Sequence, residues 1–437
     1  MNDHNYFSWG RLKRKSVPQV FKPNNYEDLL KHLKKNRELG KVLPIGMMRS
    51  YGDSCLLKGG LLLDMTEFKK INSFDEQSGL INVQAGISLD ELLKFIVPKG
   101  WFIPTSPGTK YVTIGGAIAN DIHGKNHHKF GSFCNSVKKI KVLSAEGKLQ
   151  FLEDPDDEMF KATCGGLGLT GLILEAEIEL AEIKSSYLNV ETIKFNNLKE
   201  FFEIEKQSIE NYEFTVSWID LTNESKYFGR GLFQRANWAD DKDLTPHSSF
   251  RIPIPFGLGF NLVGKNLMKV FNFLYFSKNL KKKIKEKTHY GSFFYPLDVL
   301  KGWNKLYGKN GFSQYQFVLP EENSKTGLDE ILEVLKNDKF MPRLCVLKTF
   351  GKIPSLGHLS FPLKGTTLAM DFPNSIQKNK NLYNKLDEIV IKNGGKIYPA
   401  KDSFMDSATF QSSYKNFHKF KKFKDTHISS DLWERVS

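Results

Sequence analysis

Cysteine is scarce in this chain of 437 residues, and its four thiols include no C-x-x-C pair. Their spacing indicates neither a disulfide framework nor a cysteine-based zinc site, so we expect Cys55, Cys134, Cys164 and Cys345 to be reduced. We expect Cys55 and Cys164 to be small buried thiols and not reactive ones. The first residues lack the apolar stretch of a secretory leader, and no window is apolar for long enough to span a bilayer. We therefore expect a cytoplasmic globular protein.

Acidic residues are too few to balance the basic ones, and the net charge is +14. Such an excess suits nucleic acid, anionic lipid or a phosphorylated substrate. The sequence has no zinc-finger spacing, no RNP-type aromatic motif and no helix-turn-helix pattern, so nucleic acid is not expected as a partner. Adjacent His127 and His128 would point to opposite faces of an extended segment, and no carboxylate or thiol cluster lies nearby. We predict no metal.

Glycine is concentrated in three segments, at residues 44–54, 107–126 and 165–171. Glycine loops bring backbone N–H groups close to a ligand, and convergent N–H groups suit a pyrophosphate. We interpret the three segments as a flavin site. The third contains a formal G-x-G-x-x-G match, but that fingerprint requires a preceding strand and a following helix. Residues 156–163 are instead typical of a helix and 171–180 of a strand, so a nicotinamide-type Rossmann site is not expected.

Residues 250–287 combine a Pro/Gly/Phe-rich stretch, an apolar run at 270–276 and a lysine-rich run at 281–287. An apolar segment followed by a basic one can lie on an anionic membrane surface. A buried helix followed by a lysine-rich loop accounts for the same pattern. Both interpretations stay open at the level of sequence.

Four segments resemble the decaprenylphosphoryl-β-D-ribose oxidase family, a branch of the vanillyl-alcohol-oxidase-like flavoproteins. They are Met-Arg-Ser-Tyr-Gly-Asp at 48–53, residues 114–128 with Asp-Ile-His-Gly-Lys-Asn-His-His, Gln-Tyr-Gln-Phe-Val-Leu-Pro at 314–320, and Ala-Lys-Asp-Ser at 400–403. The resemblance runs nearly end to end. It implies an α+β, two-domain PCMH-type FAD-binding fold whose substrate domain is built on an antiparallel sheet. The implied parts are an FAD domain at 1–186, a substrate domain at 187–395 and a C-terminal segment at 396–437 that returns to the FAD domain.

The activity implied by the resemblance is oxidation of a sugar hydroxyl. In that family the 2'-hydroxyl of a polyprenyl-phosphoryl-β-D-ribose becomes a 2'-keto group, and a separate NADH-dependent reductase completes the epimerisation to arabinose. One alternative is an FAD-dependent alditol or aldonolactone oxidase acting on a free polyol. Another is a non-catalytic flavin-binding protein of the membrane surface, which would have no need of both Lys401 and His123.

Site residues follow from the resemblance position by position. Lys401 corresponds to the essential lysine, whose ammonium would stabilise charge on the reduced flavin, and His123 to an active-site histidine that is either the base or a positioning group. Substrate-side positions fall on Gln314, Gln316, Lys348 and Lys401. Positions that contact FAD fall on Ile45, Gly46, Arg49, Ser50, Tyr51, Gly52, Asp53, Gly108, Thr113, Gly115, Gly116, His123, Ile173 and Tyr398.

Two departures from the pattern of the relatives carry consequences. Many of them bind FAD covalently through a histidine in the first glycine loop, but residues 44–54 contain none, and we predict dissociable FAD. Well-studied family members have a cysteine where this chain has Ala369. Inhibitors that capture that cysteine covalently are therefore expected not to attach here.

Overall fold

The computed structural model describes residues 6–12, 19–35, 40–222, 227–248, 250–254, 263–338 and 340–437. Residues 255–262, which belong to the Pro/Gly/Phe-rich stretch considered above, lie outside the described residues. Within them, no helix combines the length and apolar character needed to cross a bilayer. No group of three or more His, Cys, Asp or Glu side chains in these ranges is arranged to hold a metal ion.

The first part of the chain contains two sheets and a short strand pair. A parallel sheet, ordered β1-β3-β2, comprises β1 (Gln19–Phe21), β2 (Val42–Ile45) and β3 (Leu61–Asp64). An antiparallel sheet, ordered β4-β5-β9-β7-β8, comprises β4 (Ile71–Phe74), β5 (Leu80–Gln84), β7 (Val137–Leu143), β8 (Leu149–Leu152) and β9 (Leu172–Glu179). Strand β6 (Trp101–Phe102) pairs with β10 (Ala181–Glu182).

The helices of this part are short. They are α1 (Tyr26–Lys35), α2 (Leu89–Ile96), α3 (Ile114–Ala119), α4 (His127–Phe130) and α5 (Glu158–Thr163), with 3-10 turns at Val97–Lys99 and Phe133–Ser136. Ser88 caps α2, because its Oγ accepts from Glu91 N at 3.2 Å while Glu91 Oε2 accepts from Ser88 N at 3.0 Å. Helix α5 precedes the third glycine segment and β9 follows it, which confirms the prediction that rejected a Rossmann site.

The second part is built on one antiparallel sheet of eight strands, ordered β15-β11-β13-β12-β18-β19-β17-β20. They are β11 (Tyr187–Phe195), β12 (Phe214–Ile219), β13 (Gly231–Trp238), β15 (Lys283–His289), β17 (Phe312–Pro320), β18 (Cys345–Phe350), β19 (Gly365–Pro373) and β20 (Lys396–Ile397). Strands β14 (Ile252–Pro253) and β16 (Leu300–Lys301) form a separate parallel pair. The predicted α+β fold with an antiparallel second sheet is confirmed.

Among the described residues, this second part of the chain contains eight α-helices. They are α6 (Leu198–Ser208), α7 (Lys265–Ser277), α8 (Tyr290–Phe294), α9 (Ser324–Asn337), α10 (Ile376–Lys392), α11 (Ser407–Ser413), α12 (Phe417–Phe420) and α13 (Asp431–Val436), with 3-10 turns at Trp303–Tyr307 and Glu321–Asn323.

The register of the large sheet separates an apolar face from a face with polar residues. Residues directly opposite each other on paired strands share a face, so a single row contains Trp218, Val346, Ala369 and Gln316. Their sequence neighbours point to the other side, where Phe317, Leu347 and Leu368 are fully buried in one core with Leu328 of α9 and Leu386 of α10. Helices therefore cover one face, and polar side chains can collect on the opposite one.

The C-terminal segment contacts both parts of the chain. Strand β20 pairs with β17 in the large sheet. Further on, Val42 N donates to His427 O at 2.9 Å and Asp431 N donates to Leu56 O at 2.7 Å, so the segment also lies against the parallel sheet. The boundaries at 186 and 395 stay a prediction.

Candidate active site

The first glycine loop presents a run of free backbone donors. Among the residues described, none accepts a hydrogen bond from the N–H groups of residues 46–50. Met48 holds a positive φ of 49°, and alternation into the left-handed region aims successive N–H groups into one concavity. Unpaired backbone donors need a partner, and phosphate oxygens are acceptors that would suit such a group of donors.

Close packing fixes that loop in place. A Cβ added at Gly46 would overlap with Thr113, and one added at Gly52 would overlap with the Asp402 carbonyl. Tyr51 N donates to Ala400 O at 2.9 Å. The absence of side chains at the two glycines thus brings the first loop against the second loop and the C-terminal segment, and all three meet at one place.

Two glycine N–H groups of the second loop donate to acceptors within the protein. Gly115 N donates to Ala85 O at 2.7 Å, and Gly116 N donates to Thr113 Oγ1 at 3.2 Å. These two N–H groups are therefore already bonded within the protein, and contact of Gly115 and Gly116 with FAD stays a prediction. Thr113 instead acts as the N-cap of α3. Gly108 is exposed, with nothing within 4 Å of an added Cβ.

The third loop supports the second. Gly165 N donates to Ile118 O at 2.9 Å and Leu167 N donates to Ala119 O at 2.7 Å, so these donors are not free for a ligand. Ile173, on β9, is buried in the core with Ile118 and Ala119. The structural role of the third segment is to hold α3 and the loop that follows it.

His123 connects the second loop to the large sheet. Its Nε2 lies 3.1 Å from Gln316 Nε2, whose amide also donates to Thr367 Oγ1 at 3.2 Å. Three rings surround the imidazole, with centroids 4.9 Å away for Phe350, 5.6 Å for Phe361 and 5.2 Å for Tyr398. Burial lowers the pKa of His123 well below its usual value, and nearby lysines lower it further. The buried Nδ1 of the ring has no partner among the described residues.

Lys401 lies between the first loop and the sheet. Its Nζ is 3.4 Å from the centroid of the Tyr51 ring, a cation–π arrangement. Burial lowers the pKa of Lys401 to about 7, and the carboxylate of Asp371 opposes that shift. Asp371 is itself fully buried, and it accepts from Gln314 Nε2 at 2.5 Å and from Tyr307 OH at 3.3 Å. Burial raises the pKa of Asp371 to about 7.

Lys348 lies close enough to His123 to lower its pKa, and Lys125 acts in the same way on Lys348. Lys348 Nζ donates to Gly124 O, and Lys125 Nζ donates to Phe293 O. Within the part of the chain that the structure describes, neither forms an ion pair. Burial lowers the pKa of each to about 7, and the charge of Lys125 contributes to the shift at Lys348. Two ammonium groups so placed favour an anionic ligand.

The remaining predicted contacts lie at the border of the same region. Arg49 Nε donates to Tyr111 O at 3.0 Å, and its guanidinium lies over the Trp9 ring. Asp53 accepts two bonds from Arg435, which also bonds Asp402 at 2.9 Å, so its carboxylate is already occupied within the protein. The predicted contacts Ile45, at the end of β2, and Ser50, in the first loop, are buried and partly buried.

Tyr398 is buried at the end of β20. Its ring stacks on Phe361 at 4.5 Å, and its hydroxyl donates to Asn120 O at 3.3 Å. This residue therefore joins the C-terminal segment to the loop that follows α3.

Lys125 and Asp371 join the candidate site although the sequence did not point to them. Lys125 stands within the Asp-Ile-His-Gly-Lys-Asn-His-His string of the resemblance, two residues after His123, and that proximity was the available signal. Asp371 alternates with Thr367 and Ala369 on β19 and thus shares the face of the selected glutamines. Its burial and its electrostatic effect on Lys401 depend on tertiary structure and left no signal in the sequence.

Comparison with known proteins identifies the class to which the site belongs. A family model described as an FAD binding domain matches residues 17–153, the range that contains the first two loops. With the free donors of the first loop and the polar face beside it, this match defines an FAD-dependent oxidoreductase.

The likeness to individual proteins is more specific. The chain is 33% identical to decaprenylphosphoryl-β-D-ribose oxidase of Mycolicibacterium smegmatis, over 98% of this chain and 96% of that protein. It is 27% identical to an uncharacterized protein of Streptomyces coelicolor, over 80% of this chain and 100% of that one. D-arabinono-1,4-lactone oxidase of Saccharomyces cerevisiae is 26% identical over only 44% of this chain and 37% of that protein. The chain belongs to the decaprenylphosphoryl-β-D-ribose oxidase family, which confirms the resemblance.

Proposed function

We propose that this enzyme oxidises the 2'-hydroxyl of a polyprenyl-phosphoryl-β-D-ribose to the 2'-keto sugar, the first half of an epimerisation to arabinose. The observation that carries the proposal is the convergence of Lys401, His123 and Lys348 beside the first glycine loop. Family membership over nearly the whole chain supports the same substrate. Bound FAD supplies the hydride acceptor, and the residues of the chain must handle the proton and the orientation of the sugar.

Lys401 is the group best suited to take the hydroxyl proton. A pKa of about 7 leaves a substantial fraction as the neutral amine at physiological pH, and an acid–base group works best when its pKa lies near the working pH. When the proton moves from the sugar oxygen to Nζ, the lysine becomes an ammonium. The resulting cation then provides the electrostatic stabilisation predicted for Lys401 from the sequence.

His123 is better suited to positioning than to proton transfer. Its pKa is well below the usual value, which makes the imidazole a weak base. Gln316 donates to Nε2, and an amide so held can orient a sugar hydroxyl together with the ring. Gln314 is tied to Asp371 and acts on Lys401 through that carboxylate.

Lys348 and Lys125 are placed to bind the phosphate of the substrate. In a sugar phosphorylated on the anomeric oxygen, the 2'-carbon is bonded to the anomeric carbon, so the phosphate must lie close to the reacting centre. Lys348 bonds the carbonyl of Gly124, which is adjacent to His123 in the chain. A phosphate there would neutralise two buried ammonium groups.

Two finer statements belong to the same proposal. FAD is held without a covalent bond, because the first loop contains no histidine and His123 is enclosed by three rings. The keto sugar is passed to a separate NADH-dependent reductase, since a flavin oxidase alone leaves the epimerisation half complete. The absorbance of acid-precipitated protein tests the first statement, because dissociable flavin remains in the supernatant.

The decisive experiment is anaerobic mixing of the FAD-loaded enzyme with a polyprenyl-phosphoryl ribose and, separately, with free alditols and aldonolactones. Loss of flavin absorbance with the lipid-linked sugar alone is expected. Loss with free polyols alone would assign the protein to the polyol oxidases. Loss with neither, in protein that retains FAD, would favour a non-catalytic flavin-binding protein.

A further inference from the structure

We propose that helix α7 and the lysines that follow it form a docking surface for an anionic lipid bilayer. Five apolar side chains of α7 are about half exposed: Leu267 at 53%, Val270 at 54%, Phe271 at 48%, Phe273 at 47% and Leu274 at 60%. The spacing of all but Phe273 places them on one face of the helix. A contiguous exposed apolar patch of this kind marks an interaction site.

The other face of α7 holds the helix firmly on the protein. Asn272 is buried and donates to Asp220 Oδ1 and to Thr222 Oγ1, both at 2.9 Å. Tyr275 packs edge-on against Trp218 at 5.1 Å. These contacts hold the inward face of α7 on the protein, although Asn272 Oδ1 has no partner among the described residues. The apolar face on the other side of the helix remains exposed. This arrangement contradicts the interpretation of residues 270–276 as a buried helix.

The charges beside that face match an anionic surface. Lys278, Lys281 and Lys282 are exposed, and no described carboxylate lies within ion-pair distance of them. The next lysines are already paired, since Lys283 and Lys285 contact Glu191 and Lys287 contacts Asp241; they lie on β15, in place of the predicted loop. An apolar helix face bordered by unpaired lysines is the pattern of a helix that lies in the interface of a bilayer.

The position of α7 links this surface to the site. Trp218, against which Tyr275 packs, belongs to the same cross-strand row as Ala369 and Gln316. Helix α7 thus lies over the face of the sheet that carries the site residues. Under the proposed function, a lipid-linked sugar held in the bilayer would be presented to that face.

Vesicle flotation without substrate tests the surface independently of the proposed function. The FAD-loaded protein should float with phosphatidylglycerol vesicles and remain behind with phosphatidylcholine vesicles. Changing Lys278, Lys281 and Lys282 to Gln should weaken binding about a hundredfold at low salt, at roughly tenfold or less for each lysine. F271S/L274S should also abolish flotation. The matched controls are F151S, which changes an exposed phenylalanine of β8, and K58Q. Both should bind like the wild type.

Three results would overturn the proposal. The first is equal vesicle binding by F271S/L274S and wild type. The second is a loss of thermal stability in that variant, which would show that the two side chains pack within the protein, and the third is a wild-type dimer that the substitutions dissociate. Flavin reduction by a short-chain, soluble substrate separates the two proposals. It should be unchanged in F271S/L274S. Failure of wild type to be reduced would count against the proposed function and leave the lipid-binding result intact.

Discussion

At the scale of single residues, Lys401 is the group on which the proposed chemistry depends. Its Nζ contacts the Tyr51 ring, and no described carboxylate lies within ion-pair distance of it. K401M should reduce the rate of flavin reduction by about 10²–10⁴-fold, the range typical of a lost acid–base or electrostatic group, while FAD remains bound. Stopped-flow absorbance measures the rate. K415M, at an exposed lysine of the same segment, should react like wild type; equal loss in both would contradict the assignment.

Asp371 should set the pH dependence of the reaction. Because neutral Lys401 is the proposed base, kcat/KM should rise as pH passes through about 7. The carboxylate of Asp371 raises the pKa of Lys401, so D371N should lower that pKa and move the rising limb to lower pH. Asp387 offers a matched control: its pKa is also raised to about 7 by burial, but its partner is Tyr315. If the rising limb of the pH profile shifted as far in D387N as in D371N, Asp371 would have no specific effect on the pKa of Lys401.

Ala369 should determine whether the enzyme can be captured covalently. It is partly exposed and lies directly opposite Gln316 on the face that carries the site. A369C should acquire labelling by a thiol-directed electrophile that competes with substrate, whereas wild type, whose Cys134, Cys164 and Cys345 are buried, should not be labelled there. Intact mass spectrometry measures the label. Labelling that substrate does not suppress would place residue 369 outside the site.

At the scale of elements, close packing holds the first loop in position. In G52A the new Cβ would overlap with the backbone carbonyl of Asp402, so the loop must move, at a cost of about 1–3 kcal/mol. FAD affinity and the melting temperature of the FAD-free protein should both fall, as followed by flavin fluorescence and calorimetry. G108A fills open space and should leave the FAD-free melting temperature unchanged. An unchanged melting temperature in G52A would show that the loop can adapt.

The elements themselves followed from local sequence. The residue pattern at 171–180 predicted β9, and the pattern at 156–163 predicted the helix α5 before it. The hydrogen-bond partners of the N–H groups in the second and third loops could not be predicted from the sequence. In a glycine-rich segment these donors can bond a ligand or a neighbouring carbonyl equally well. Gly115 N donates to Ala85 O, and this bond depends on how α3 packs on the antiparallel sheet that contains β9.

At the scale of the whole molecule, Arg435 ties the C-terminal segment to the first loop. Its guanidinium bonds both Asp53 and Asp402, and these carboxylates raise its pKa above the usual value. R435M would leave two largely buried carboxylates without their partner, and we expect unfolding in urea to be easier by about 2–4 kcal/mol. K41M removes the exposed ion pair between Lys41 and Glu434, which lies in α13 beside Arg435. This variant should lower the free energy of unfolding by about 1 kcal/mol or less. Similar losses in both variants would contradict a special role for Arg435.

The sequence by itself determined the α+β class, the glycine loops, the absence of a Rossmann arrangement and, through a resemblance confirmed by comparison, the family and its cofactor. These depend on residue type and short spacing, which local sequence contains in full. Tertiary structure alone decided that the charge of Asp371 acts on Lys401, that Lys125 acts on Lys348, that Arg435 bonds Asp53, and that α7 leaves an apolar face exposed. The first three bring together residues far apart in the chain. All four depend on sheet register and helix packing, to which many distant residues contribute at once.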